Sequence, residues 1–261
     1  MGTTEPTTEE SLAPAVREIL ATARDRDGER APADDDRQLH VKARSLSEAL
    51  REANASGRAP VIAEVKPTSP TAEYDRRLDP SQTAEAMVSG GACAISVLTE
   101  PEHFGGSLQA LEAVREAVSV PVLRKDFLLE PAHLDAVAAD AVLLIARFLP
   151  DLSEMIEAAR DRGMTPLVET HTKSEVREAL TAGADVIGVN NRDLGTLTVD
   201  RSTVEQLAPL VPDEVTLIAE SGIETPAHRE RMVQAGVDGL LVGSAIMEGD
   251  VEANTRRLVE R

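Results

Sequence analysis

From residue 60 onward the chain is divided into eight apolar, strand-like runs, at 61–65, 92–98, 121–123, 141–146, 166–168, 186–189, 215–219 and 239–242, with helix-forming sequence between them. Runs with no polar alternation read as strands buried on both faces, and strands that alternate with helices build a parallel sheet with the helices outside it. A repeat of about 25 residues, eight times over, is the spacing of strand–helix units closed into a barrel. An open doubly wound sheet shares the alternation, but eight near-equal units favour closure. The expected fold is therefore α/β, a (β/α)8 barrel. Small residues and glycine precede several strands, as in Gly90-Gly91-Ala92, Ala182-Gly183-Ala184-Asp185 and Ala235-Gly236-Val237-Asp238. There a left-handed glycine ends a helix and the next apolar residues open a strand. Asp79-Pro80 and Thr225-Pro226 mark helix starts. The copy before the fourth strand, Ala138-Ala139-Asp140, lacks the glycine.

The 261 residues suit one such barrel, which commonly occupies about 250. Residues 1–58 have a different texture, rich in Pro, Asp, Arg and Glu, with helical patterning at 12–23 and 46–53 and a charged loop at 25–38. The expected organisation is an N-terminal helical extension over 1–58 and a barrel over 59–261, forming a single domain. Aromatics make up only 2% of the chain, so the core must be Val, Leu, Ile and Ala, as layered barrel interiors are. A net charge of −19 repels nucleic acid and anionic membranes and reads as a solvated acidic surface suited to a salty medium. Neither a signal-like N-terminus nor an apolar run long enough to span a membrane is present, so a soluble, cytoplasmic protein is expected. Cys93 reads as a small core residue. The histidines at 40, 103, 133, 171 and 228 have no metal-ligand spacing, so no metal is assigned, and His171 reads as a solvated loop residue. A monomer is expected, with a dimer left open.

In a barrel of this kind the C-terminal ends of the strands face the catalytic side, and here those ends are polar. Glu64 and Lys66, two apart, project to one side of the first strand. A structural ion pair would explain them in isolation. The turn Pro67-Thr68-Ser69-Pro70 would hold Ser69 near that lysine. Lys125 ends the third strand, and alternation turns it inward while Arg124 and Asp126 face the helices. Among apolar walls and other cations its ammonium would be disfavoured, making it a better proton donor. Glu169 closes the fifth strand and needs a partner to be buried, for which the two lysines are the candidates. Asn190 and Arg192 follow the sixth strand. Ala219-Glu220-Ser221-Gly222 and Val242-Gly243-Ser244-Ala245 each end a strand in glycine and serine and open a helix, offering backbone N–H groups to a phosphate after strands seven and eight.

With these residues in place, the chain resembles the indole-3-glycerol-phosphate synthase family from about residue 12 to the end. The resemblance rests on Ala-Glu-Val-Lys-Pro-Thr-Ser-Pro, Leu-Thr-Glu-Pro-Glu-His-Phe-Gly-Gly-Ser, Arg-Lys-Asp-Phe, Val-Asn-Asn-Arg-Asp-Leu and Ala-Glu-Ser-Gly-Ile. It implies a TIM barrel and a carboxy-lyase of tryptophan biosynthesis. That enzyme closes 1-(2-carboxyphenylamino)-1-deoxyribulose 5-phosphate to indole-3-glycerol phosphate with loss of carbon dioxide and water and needs no cofactor. It also implies roles. Lys125 would be the general acid, and Glu169 would act in dehydration and steady positive charge on the anilino nitrogen. Lys66 would hold substrate anions, Glu64 and Asn190 would orient hydroxyls and lysines, and Arg192 and Ser69 would support that network. Ser221, Gly222, Gly243 and Ser244 would cradle the phosphate, and Phe104 and Phe127 would flank the anthranilate ring. Two departures from the family pattern stand out: Thr71-Ala72-Glu73 in the first loop, and a shorter stretch between Pro131 and Asp140, where a shortened or distorted helix is expected. Among rival enzymes, a phosphoribosylanthranilate isomerase would need a cysteine on the first strand, and a Schiff-base aldolase would use Lys125 as nucleophile. A silent phosphate-binding barrel or pathway scaffold would have lost the acids and bases that this chain retains.

Overall fold

A computed structural model of the chain describes residues 11–26, 38–68 and 78–261. Ser69, Thr71, Ala72, Glu73 and most of the charged loop lie outside them. Eight parallel strands close on themselves in sequence order. They are β1 (Val61–Val65), β2 (Ala94–Leu98), β3 (Val122–Lys125), β4 (Ala141–Ile145), β5 (Thr165–Thr170), β6 (Val186–Asn190), β7 (Thr216–Glu220) and β8 (Gly239–Val242). Four of them run past their apolar stretch, so that Lys125, Glu169, Asn190 and Glu220 are themselves ladder residues rather than loop residues. The register sets Leu98 beside Lys125, Ile145 beside Glu169, and Asn190 beside Glu220. Backbone pairing therefore holds these polar side chains as rigidly as the core.

Two helices precede the barrel, α1 (Pro14–Arg24) and α2 (Leu46–Ala55). Those that return between or after strands are α3 (Pro80–Ser89), α4 (Pro101–Phe104), α5 (Leu108–Ala117), α6 (Leu152–Asp161), α7 (Lys173–Thr181), α8 (Ser202–Leu207), α9 (Pro226–Gln234), α10 (Ser244–Met247) and α11 (Val251–Val259). Capping follows the sequence signals: Asp79 accepts from the Gln82 N–H and Thr225 from the His228 N–H, each one residue ahead of a first-turn proline. Between β3 and β4 the chain makes only a 3-10 turn, Pro131–Ala136, as the missing glycine and shortened stretch led us to expect. Leu134 of that turn is fully buried and fills the place of a longer helix.

The core has two shells. Outward-facing strand residues such as Val61, Val97, Val142 and Val168 pack under the helices. Inward-facing Ile62, Leu123, Leu143, Leu167, Val186, Ile218 and Leu241 fill the barrel. Leu46, Leu50 and Ala53 of α2 join the inner shell, so α2 plugs the N-terminal mouth of the barrel; Gly239 leaves room for Leu50, whose methyls would stand 3.0 and 3.1 Å from a Cβ there. Fully burying each leucine contributes about 1.5–3 kcal/mol. Residues 38–45 run along the barrel wall, where the Val41 N–H donates to Arg162 O at 2.8 Å and Arg44 Nε to Asp140 at 2.8 Å. At the opposite mouth, Val16 and Leu20 of α1, with Leu12 just ahead of it, pack against Leu194, beside Phe127 and Phe148. The extension thus touches both ends of the barrel. Cys93 is buried just ahead of β2, and burial pushes its thiol up to about 11.

Candidate active site

Period-two alternation decides which side chains enter the C-terminal mouth. On β1 it selects Glu64 and then Lys66, on β3 Lys125, on β5 Glu169, on β6 Asn190 and on β7 Glu220. All six line one pocket, together with Phe104, Phe127, Arg192, Ser221, Gly222, Gly243 and Ser244. Ala15, Val16 and Ile19 of α1 complete its wall. Every candidate named from the sequence is brought together here, apart from Ser69, which lies outside the described residues.

Two cation–carboxylate groups occupy the floor. In the first, Lys125 Nζ donates to Glu220 Oε2 at 3.0 Å and to Glu169 Oε2 at 3.4 Å. Asn190 Nδ2 donates to the other oxygen of Glu169 at 3.0 Å, and the Asn190 side-chain oxygen accepts the Arg192 N–H at 2.9 Å. In the second, Lys66 Nζ lies 3.3 Å from Glu64 Oε1 and donates to Ser244 Oγ at 3.1 Å. A Cβ at position 243 would displace the ends of Glu64 and Lys66, so glycine there leaves this pair its present positions.

The electrostatics correct one expectation. Lys125 is ringed by carboxylates, not cations. Burial opposes its charge, but Glu220, Glu169 and Glu64 outweigh burial and hold its ammonium well above the ordinary lysine range. Burial also acts on Glu169, yet Lys125, His171 and Asn190 prevail and keep it far below the usual carboxylate range. Glu220 goes the other way. Burial, with help from the neighbouring Glu169 and Glu64 charges, overcomes Lys125 and pushes it up to about 7. Two acids on one lysine thus have their proton affinities pushed in opposite directions, the pattern by which acid and base roles are separated.

Glu220 is the site residue that sequence reasoning missed. The sequence presents it only as the start of an anion-binding turn, although it closes β7 facing inward as Glu169 does one residue from the end of β5. His171 is a second correction. Its side chain is 4% exposed, with Nε2 3.2 Å from Glu169 and Nδ1 3.4 Å from Glu175, contacts at ion-pair distance that lie off the line of an ideal hydrogen bond. The sequence placed it in solvent because it follows the apolar run. The structure continues β5 to Thr170 and tucks the next side chain under α7.

Around the rim, Ser221 and Gly222 both take left-handed backbone, with φ of 66° and 73°. No helix starts directly after them, contrary to expectation: α9 begins only at Pro226. Their carbonyls are tied back instead, Ser221 O by Asn191 Nδ2 at 3.1 Å and Gly222 O by Arg201 Nε at 2.6 Å. Because a peptide N–H lies opposite its C=O, this turns the Gly222 N–H away from Asn191. The second turn does open a helix, with Gly243 preceding α10. Arg192 does not reach the carboxylates; its Nη1 donates to Leu197 O at 2.9 Å. Leu197 holds a left-handed φ of 59°. Phe127 stacks on Phe148 with centroids 6.1 Å apart, so this wall belongs both to the pocket and to the seat of α1. Buried Arg124 faces outward, paired with Asp126 at 3.2 Å, and Arg26 of the extension reaches the same carboxylate at 2.7 Å. No cluster among the described residues could hold a metal ion, and no helix there is long and apolar enough to cross a membrane.

Comparison with known proteins agrees with this geometry. The family model described as indole-3-glycerol phosphate synthase matches residues 10–258. The protein of that name from Halobacterium salinarum is 60% identical over 250 residues, covering 95% of this chain and 97% of its own. That from Haloarcula marismortui is 57% identical over 258 residues, covering 95% and 93%. Among solved structures, the N-acetylmannosamine-6-phosphate 2-epimerase of Clostridium perfringens superposes with a TM-score of 0.60 at 16% identity, over 79% of this chain and 93% of that one, a likeness of fold alone. A family match across nearly the whole length, with relatives this similar, means that the chain belongs to the indole-3-glycerol phosphate synthase family.

Proposed function

We propose that Lys125, Glu220 and Glu169 divide between them the proton transfers of the family's reaction, the decarboxylating and dehydrating ring closure of 1-(2-carboxyphenylamino)-1-deoxyribulose 5-phosphate. The function is the carbon–carbon lyase step of tryptophan biosynthesis that this ring closure performs. The observation that carries the division of labour is one ammonium held between two buried carboxyl groups, Glu220 at 3.0 Å and Glu169 at 3.4 Å.

The substrate joins an anthranilate ring to a sugar phosphate through a CH2–C(=O) unit. With the phosphate at Ser221, Gly222, Gly243 and Ser244 and the ring between Phe104 and Phe127, its reacting atoms fall over Lys125. The ring carbon bearing the carboxylate attacks the ketone carbon, and Lys125 gives its proton to the ketone oxygen as alkoxide character develops. The carboxylates around Lys125 ensure that it carries that proton at neutral pH. The ring–carboxyl bond then breaks, its electron pair restores aromaticity, and carbon dioxide leaves. For dehydration, neutral Glu220 protonates the departing hydroxyl, directly or by reloading Lys125. Ionised Glu169 takes a proton from the CH2 carbon and steadies the positive charge on the anilino nitrogen. Two protons enter and one leaves, matching the carboxylate charge lost as carbon dioxide. Lys66 and Arg192 supply fixed positive charge for the carboxylate and phosphate before closure, while Glu64 orients Lys66.

All of these residues come from one chain, so a monomer suffices, and a free phosphorylated metabolite fits a cytoplasmic enzyme. The test is indole fluorescence on mixing the purified chain with the carboxyphenylamino-deoxyribulose phosphate. The wild type should generate the signal, and folded Lys125→Ala should lose at least about 10³-fold in rate. Binding without turnover by the wild type would refute the reading.

A further inference from the structure

Among the buried titratable groups that these proton transfers leave unused, one stands directly against Glu169. His171 lies behind Glu169, outside the pocket lining, with a side chain 4% exposed. Its Nε2 is 3.2 Å from Glu169 Oε1, while Lys125 approaches the other oxygen of the same carboxylate. On its far side, Nδ1 is 3.4 Å from Glu175 Oε2. That far carboxylate is fixed in turn. It accepts the His171 backbone N–H at 2.7 Å and two bonds from Arg147, at 3.1 and 2.8 Å. A solvated histidine needs none of this. The arrangement is a charged chain, Arg147–Glu175–His171–Glu169, that ends on the carboxylate assigned to dehydration.

We propose that His171 is a positioning residue for the dehydration step: it backs one oxygen of Glu169 and leaves the other oxygen for Lys125 and the substrate. This rests on the role given to Glu169. The groups facing the imidazole are Glu169 from β5, Glu175 from α7 and Arg147 from the turn after β4. Lys125 of β3 stands beyond Glu169, and Asp193 of the loop after β6 feels Arg147. Burial disfavours the imidazolium and Arg147 repels it, but the two carboxylates prevail and hold its proton above the ordinary histidine range. The same contact is among the causes that lower Glu169. Removing it takes away one of two cations beside that carboxylate, and an opposite charge at this distance is worth about one to three pKa units.

The experiment is the pH profile of kcat and KM for His171→Leu and His171→Gln, with Glu169→Gln and Glu175→Gln in parallel. In His171→Leu we expect kcat to fall about tenfold at neutral pH and KM to stay within about twofold, with the acid limb of kcat displaced upward by about one unit. His171→Gln carries an amide out to the Nε2 position and can still donate to Glu169, so its kcat should recover in part while the limb stays displaced, because the charge is absent. Glu175→Gln should displace the limb in the same direction by less. Acid limbs that coincide with wild type in the folded variants would overturn the proposal, whatever happens to kcat. If His171→Leu does not fold, the Gln variants at 171 and 175 keep polarity and most of the volume and carry the test. Full activity in Glu169→Gln would instead remove the role on which the proposal rests. Inactivity there with unshifted His171 limbs removes only His171.

Discussion

Gly188 is the inward-facing residue of β6 between Val186 and Asn190, and the space its missing side chain leaves is filled from the next strand by Glu220. A methyl at Gly188→Ala would overlap Glu220 Oε1 well inside 3.0 Å and would meet Glu220 Cδ and Leu167 Cδ1 at 3.3 Å. The backbone here is extended sheet, so the demand for glycine is one of room. Leu167 is fully buried and cannot yield, so Glu220 must retreat by on the order of 1 Å, which takes it out of reach of Lys125, now 3.0 Å away. Overpacking costs about 1–3 kcal/mol, and losing a charge-assisted hydrogen bond adds about 1.5–3 kcal/mol. The expected destabilisation is about 2.5–6 kcal/mol, or roughly 5–24 °C in Tm for a chain of this size. Displacing a proton-transfer group by about 1 Å is worth roughly a hundredfold in rate. Thermal unfolding followed by circular dichroism and indole progress curves read both quantities. A Gly188→Ala protein within 2 °C and twofold of wild type would refute the claim that this glycine makes room for Glu220.

Other expectations follow from the same contacts. Asp126 is buried; desolvation would raise its pKa, but Arg124 and Arg26 hold it below the ordinary value of 3.8, so its stabilisation is present above pH 4 and lost as pH falls through the lower folded value. Asp126→Asn should therefore lower Tm by roughly 10 °C at pH 7, with the deficit closing below pH 4, as Tm–pH scans would show. Glu220 has the opposite sign: its folded pKa of about 7 lies above the ordinary 4.5, so ionising it costs stability as pH rises through that window. Glu220→Gln should raise Tm relative to wild type at pH 8, by an amount corresponding to at most roughly 3 kcal/mol, while lowering kcat at least tenfold. The net charge of −19 predicts that activity and Tm persist or rise from low salt to molar potassium chloride, and loss of both in a salt series would count against that reading.

How much was legible in the sequence depended on where a side chain met its constraint. The barrel was readable because strands buried on both faces are continuous apolar runs, and because glycine and capping residues punctuate the helices between them. Lys125 was readable as inward-facing from alternation alone, with Arg124 and Asp126 outward as found. The protonation of Lys125 was not, since its carboxylate neighbours come from strands 44 and 95 residues away. Glu220 is hidden by adjacency: the Ser221-Gly222 turn beside it accounts for a polar segment there without calling on the carboxylate. His171 was hidden because its fixing partner, Glu175, lies one turn into the next helix. The wrapping of the extension, α1 over one mouth and α2 into the other, is set by shape and has no local signal.

The most direct test of the division of labour counts carbon dioxide against indole. With substrate labelled in the ring carboxylate, released label and indole fluorescence are followed together in wild type, Lys125→Ala and Glu169→Gln. If Lys125 starts closure and Glu169 completes dehydration, Lys125→Ala releases neither product, whereas Glu169→Gln releases carbon dioxide ahead of indole as the hydroxylated ring accumulates. Carbon dioxide and indole appearing in step in Glu169→Gln, or a Lys125→Ala enzyme that still releases label at the wild-type rate, would contradict it.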